Sequence, residues 1–122
     1  LAFSGQSSLR LLFLGHNNFT GTPSAAADAA YSTPNLTRID ISHNALTGAP
    51  LELDNLPIFE RFDLSHNKIK TSLDSIIWNN LPSLHTIDLS HNLMTGTFGN
   101  SLKSLPVLHD LDLSFNEITA LP

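Results

Sequence analysis

One phrase recurs five times along the 122 residues and constrains the chain more than any other feature: Leu-x-x-Leu-x-Leu-x-x-Asn-x-Leu, with Ile, Phe or Met standing in at leucine positions. The phrases begin at Leu9, Leu36, Phe59, Leu84 and Leu108, and their asparagines are Asn17, Asn44, Asn67, Asn92 and Asn116. Those asparagines lie 27, 23, 25 and 24 residues apart, a period long enough for one supersecondary unit and too regular for unrelated segments. Within each phrase the apolar residues alternate, as in Leu12 and Leu14 or Ile39 and Ile41, which is the period of a short strand with one face buried. Each repeat therefore contributes one strand to a parallel sheet.

Backbone accounting explains the asparagine. A chain that turns inward after a strand leaves buried N–H and C=O groups in need of partners, and an Asn amide donates and accepts at once. Stacked at about 4.8 Å, the five side chains form an internal ladder.

Composition narrows the function. Six Lys plus Arg against eleven Asp plus Glu give a net charge of −5, which speaks against a nucleic-acid groove and its clustered basic surface. No cysteine is present, so neither a disulfide framework nor a thiolate metal site exists. The longest apolar stretch, Leu9 to Leu14 with Arg10 inside it, is far short of the ~20 residues of a membrane helix.

From Leu9 to Pro122 the phrases resemble those of the leucine-rich repeat family. Phe19-Thr20-Gly21-Thr22-Pro23, Leu46-Thr47-Gly48-Ala49-Pro50 and Met94-Thr95-Gly96-Thr97-Phe98 are similar to the ending of the plant-type subclass, whereas the third and fifth repeats are closer to the general extracellular type. The resemblance implies an α/β leucine-rich repeat solenoid: a curved right-handed coil with a parallel β-sheet on its concave face and short helices, 3-10 turns or irregular segments on the convex one. Ser24 to Tyr31 is alanine-rich enough for a helical turn or two, and Leu73 to Asn79 is amphipathic. Residues 1–122 read as a single solenoid fragment of about five repeats belonging to a longer array.

The non-anchoring strand residues form columns on the concave face. The first holds Leu11, Arg38, Arg61, Thr86 and Asp110; the second holds Phe13, Asp40, Asp63, Asp88 and Asp112. A Gly15 and serine column follows, then His16, His43, His66, His91 and Phe115. Arg38 and Arg61 each precede an Asp by two residues on one face, a spacing at which they can pair. The family resemblance makes the concave face the ligand surface, with Leu11, Phe13, Arg38, Asp40, Arg61, Asp63, Asp88, Asp110, Asp112 and Phe115 as candidate binding residues. Much of the Asp and His wording is nevertheless ordinary for the family.

No metal site is expected, because a flat column offers ligands from one side and equally spaced imidazoles do not converge on one ion. No cofactor is expected either. Catalysis is not expected, since an open repetitive sheet supplies no pocket, oriented base or oxyanion site. The sequons Asn18-Phe19-Thr20 and Asn35-Leu36-Thr37 permit N-glycans at Asn18 and Asn35, and together with the family wording they point to an extracellular or cell-surface location. Two functional classes follow: a non-catalytic module binding a protein or peptide ligand through the concave sheet, or a structural repeat packed against neighbouring subunits of a larger assembly.

Overall fold

A computed structural model describes residues 7–22, 34–48, 52–54, 56–97 and 100–120. The alanine-rich stretch at 24–31 lies outside them. The strands are β1 (Leu11–Phe13), β2 (Thr20–Gly21), β3 (Arg38–Asp40), β4 (Ala45–Leu46), β5 (Glu52–Asp54), β6 (Arg61–Asp63), β7 (Ile77–Asn79), β8 (Thr86–Asp88) and β9 (Asp110–Asp112). Each of the five phrases supplies one strand of a single sheet, in the order β1-β3-β6-β8-β9. All its pairs are parallel and strictly in register: Leu12 lies opposite Ile39, Ile39 opposite Phe62, Phe62 opposite Ile87 and Ile87 opposite Leu111. The chain is therefore a parallel β-solenoid, one coil per phrase.

A three-residue strand has little intrinsic stability, so the central residue of each is an anchor. Ile39, Phe62 and Ile87 are buried, together with Leu36, Phe59 and Leu84 at the start of each phrase and Ile41, Leu64 and Leu89 just after the strand. Burial of this kind contributes roughly 1.5–3 kcal/mol per side chain. The end coils are less complete: Phe19 is 45% exposed, whereas its counterpart Leu46 is 5% exposed.

Outside the five-stranded sheet the coils hold more strand than their sequence suggests. β2 pairs with β4 and β5 with β7, again in parallel, and lone bridges join Ser72 to Thr95 and Thr97 to Ala120. Among the described residues, helical structure is confined to 3-10 turns at Leu73–Ser75 and Ser101–Ser104. The expectation of an amphipathic helical segment over 73–79 thus holds only for its first three residues. Beyond them the run Ile76-Ile77-Trp78 favours an extended chain, and the edge of β5 is there to receive it. Trp78 is buried edge-on to Phe62, with ring centroids 6.3 Å apart. Its Nε1 has no hydrogen-bond partner among the described residues, so its burial rests on its apolar bulk.

The coils are closed by the asparagines. Asn67 Nδ2 donates to the carbonyls of Leu64 and Ser65 in its own turn and to Ile41 of the coil before, at 3.0–3.2 Å, while its Oδ1 accepts the Leu46 N–H at 3.1 Å. Asn44, Asn92 and Asn116 repeat this pattern, reaching back to Leu14, Leu64 and Leu89 and accepting from Phe19, Ile69 and Met94. Asn17 is exposed and, among the described residues, bonds only Leu14 and Gly15 of its own turn. Four residues after Asn17, Asn44 and Asn92 the chain takes a left-handed conformation, supplied by Gly21, Gly48 and Gly96 at φ of 86–87°.

Two pairs of substitutions test this framework by urea denaturation. Asn67→Ala strands several buried groups and is expected to lose about 3–4 kcal/mol, against about 1 kcal/mol for the edge residue Asn17. Gly21→Ala carries only the left-handed penalty of about 1 kcal/mol, because a Cβ there meets nothing within 4 Å. Gly48→Ala should cost at least twice as much, since its Cβ would come within 2.6 Å of Ile69 Cγ2.

Candidate functional site

The solvent face of the five-stranded sheet gathers most of the residues that the sequence singles out. Parallel register places Leu11, Arg38, Arg61, Thr86 and Asp110 in one row and Phe13, Asp40, Asp63, Asp88 and Asp112 in the next. Leu11 and Phe13 are 52% and 57% exposed, so two large apolar side chains stand in water on a rigid strand. Phe115, at the other end and past the strand, is 73% exposed.

The aspartates are tied into the backbone. Asp40 Oδ1 accepts the N–H and the Oγ–H of Ser42 at 3.0 and 2.7 Å, and Asp88 with Ser90 and Asp112 with Ser114 do the same. Asp63 accepts the Ser65 N–H at 2.9 Å. One oxygen of each carboxylate therefore fixes the turn leaving the strand, a role that explains why Asp and Ser recur two residues apart. Hydrogen bonds from the Ser114 hydroxyl and N–H, with a smaller effect of His91, hold the Asp112 carboxyl below its usual range.

This turn also overrides the expected pairing of Arg38 with Asp40 and Arg61 with Asp63. Neither pair forms an ion pair; among the described residues His109 with Asp110, at 3.2 Å and both exposed, makes the single one. The serine that engages Oδ1 lies two residues on, whereas the arginine lies two residues back. Arg38 instead lies over the Phe13 ring, its Cζ 5.1 Å from the centroid, a cation–π contact that desolvates the guanidinium on one side.

At the strand exit His16, His43, His66, His91 and Phe115 all have φ of 54–57°. Left-handed backbone costs a residue with a Cβ about 1 kcal/mol or more, and histidine tolerates it better than bulky residues do. Their rings form one continuous stack with centroids 4.1–4.2 Å apart and planes within 13°. Each of the four histidine N–H groups donates to the serine carbonyl of the next coil, at 2.9–3.0 Å. In this parallel arrangement the ring nitrogens do not converge, and among the described residues no group of three or more His, Asp or Glu is placed to hold a metal ion. Partial desolvation by the flanking rings, then the charges of His16 and His66, lower the pKa of His43.

Both sequon asparagines are exposed. Asn18 faces solvent between the ladder and Phe19, and the Asn35 Nδ2 donates to the Ser7 carbonyl at 2.7 Å. The sequence places the five rings in one column, whereas the Asp–Ser bond is not evident from it; the recurring Asp-x-Ser spacing is its available signal.

Stacked parallel coils closed by an internal asparagine ladder, with an open sheet face, define a repeat scaffold. Residues 60–118 match a family model described as leucine rich repeat, and residues 35–56 match a second of the same description. The chain belongs to the leucine-rich repeat family, whose solenoids are typically non-enzymatic scaffolds for protein–protein interaction. No helix among the described residues is long and apolar enough to cross a membrane.

Acid should weaken this face in two stages. His43, lowered from an ordinary 6.5, binds its proton less readily folded than unfolded; its contribution is complete above about pH 6.5 and is lost as pH falls through its folded value. Asp112, lowered from 3.8, likewise contributes above that value and loses its contribution as pH drops through the folded one. Thermal melts from pH 8 to 3 should show a smaller loss in the upper stage for His43→Phe, a side chain already tolerated at position 115. Ser114→Ala should raise the Asp112 pKa in an NMR titration.

Proposed function

We propose that the chain is a ligand-recognition module of an extracellular or cell-surface protein, binding a protein or peptide through the concave face of its five-stranded sheet. The observation that carries this reading is the exposure of Leu11 and Phe13 on strand β1. Large apolar side chains fixed on a strand lose little entropy on binding, and aromatic and arginine side chains are common interface anchors. Arg38, Asp40, Arg61, Asp63, Asp88, Asp110, Asp112 and Phe115 complete the surface. The net charge of −5 is a poor match for nucleic acid, and no cofactor enters the reading. The exposed Asn18 and Asn35 sequons support passage through the secretory pathway, with N-glycans at one or both.

A second reading rests on Phe19 and Phe115, which are exposed at the two end coils. In it the coils form part of a longer array or pack against neighbouring subunits, and the segment serves as a rigid spacer.

Hydroxyl-radical footprinting of the protein in its native complex separates the two. Recognition through the sheet expects protection at Leu11 and Phe13, with Ile77 on the opposite side unchanged; the structural reading expects protection at Phe19 and none at Leu11 or Phe13. Intact mass before and after glycosidase treatment should show a glycan lost on Asn18→Gln or Asn35→Gln. Unmodified mass at both sites in natively sourced protein would remove the argument for a secretory location.

A further inference from the structure

All three arginines of the chain, Arg10, Arg38 and Arg61, lie on or just before three successive strands of the sheet, β1, β3 and β6, while the three lysines lie outside its strands. Arg10 immediately precedes β1, and Arg38 and Arg61 are in-register partners on β3 and β6, two guanidinium stems about 4.8 Å apart at the backbone. Among the described residues none of the three forms an ion pair, although Glu60, Asp40 and Asp63 are near them in sequence. The aspartates are held back by the serine turns, and Arg38 is propped on Phe13. Like charges at this spacing repel, and a carboxylate received between them relieves that repulsion through paired N–H donors. The apolar groups Leu11 and Phe13 stand directly beside them.

The other end of the same face is acidic and carries no arginine, while Asp40 and Asp63 accompany the arginines on β3 and β6. Thr86 and Asp110 take the places that Arg38 and Arg61 occupy, and Asp88 and Asp112 follow in the next row. From β1 to β9 there are four strand spacings, about 19 Å, which an extended chain crosses in about six residues.

We propose that this face is a directional docking site for an extended protein segment. At β1 to β6 the segment carries an acidic side chain next to an apolar one; about six residues from the apolar one, which sits at β1, it carries a lysine or arginine at β8 and β9. The proposal rests on the reading of this sheet as the ligand surface and adds the charge order of the partner. The apolar contact with Leu11 and Phe13 supplies the anchor, and the two charged ends set the position of the segment along the sheet.

Capped synthetic peptides test it by fluorescence anisotropy at low and high salt. The first has the order Asp-Leu-Asp, Gly-Ser-Gly-Ser, Lys-Lys; the second has the same composition with acidic and basic residues alternating; the third has the acids replaced by lysines. The first is expected to bind at least about fivefold more tightly than the others. Arg61→Glu should weaken it about tenfold and Asp110→Lys severalfold, with unchanged thermal melts because both side chains are exposed. Equal binding of the alternating or all-lysine peptide, no effect of Arg61→Glu, or no binding of the first peptide at all would each overturn the proposal. If in addition footprinting of the native complex protected Phe13, the sheet would remain the ligand surface and the inferred partner chemistry alone would be wrong.

Discussion

Closing a coil every two dozen residues around an apolar interior forces the backbone to turn where no water reaches its peptide groups, and the inward asparagine resolves that conflict. Asn67 alone satisfies three carbonyls and one N–H drawn from two coils. Because each amide reaches back to the coil before it, the ladder fixes the pitch of the solenoid as well as the turn. The apolar anchors need such a fixed pitch. Ile39, Phe62 and Ile87 stack in one row, and a coil displaced along the axis would open voids between them, at a cost that grows with the volume left unfilled. Asn17 marks the boundary of this logic, since among the described residues it bonds only within its own coil and is exposed.

A second local unit sits on the outside of the same turn. The aspartate accepts from the serine two residues on, and the next residue adopts a left-handed conformation and lays its ring on the ring of the neighbouring coil. The left-handed backbone is costly for histidine, and the ring stack together with the N–H donated to the next coil's serine carbonyl offsets that cost. Aspartate, serine and histidine on this face thus have backbone work of their own, which the columns alone would suggest was a site. What the turn leaves free is the second carboxylate oxygen and the arginines.

Much of this architecture was legible in the sequence because it follows from periodicity. Strand positions, parallel pairing, the buried anchors and the family all derive from a phrase repeated in register, and each repeat reinforces the inference drawn from the others. Where periodicity lapses, legibility fell. The segment 73–79 carries apolar residues at spacings compatible with a helix, yet most of it is extended, because a partner strand 25 residues earlier in the chain decided the matter. Arginine and aspartate two residues apart on one strand face looked like an ion pair; a serine N–H competed for the carboxylate and won, since a short bond within one turn orders fewer freely rotating groups than a bridge between two long side chains. Such competition is invisible to spacing alone.

The first coil shows how a repeat can depart from its own pattern without harm. Where β3, β6, β8 and β9 carry Asp, β1 carries Phe13, and where the others have Ser two residues on, the first has Gly15. The two changes belong together: with no carboxylate, the serine hydroxyl loses its acceptor. A Cβ at position 15 would in addition come within 3.1 Å of Ser42 Oγ and 3.3 Å of Asp40 Oδ1, crowding the intact unit of the adjacent coil. The Asp–Ser bond is confined to one turn, so removing both members leaves the ladder untouched, and Asn44 still binds Leu14 at 2.9 Å. The solvent face is therefore the part of the repeat free to vary, and Phe13 is exposed there with Arg38 across its ring because the constraint that fixes this position elsewhere is absent.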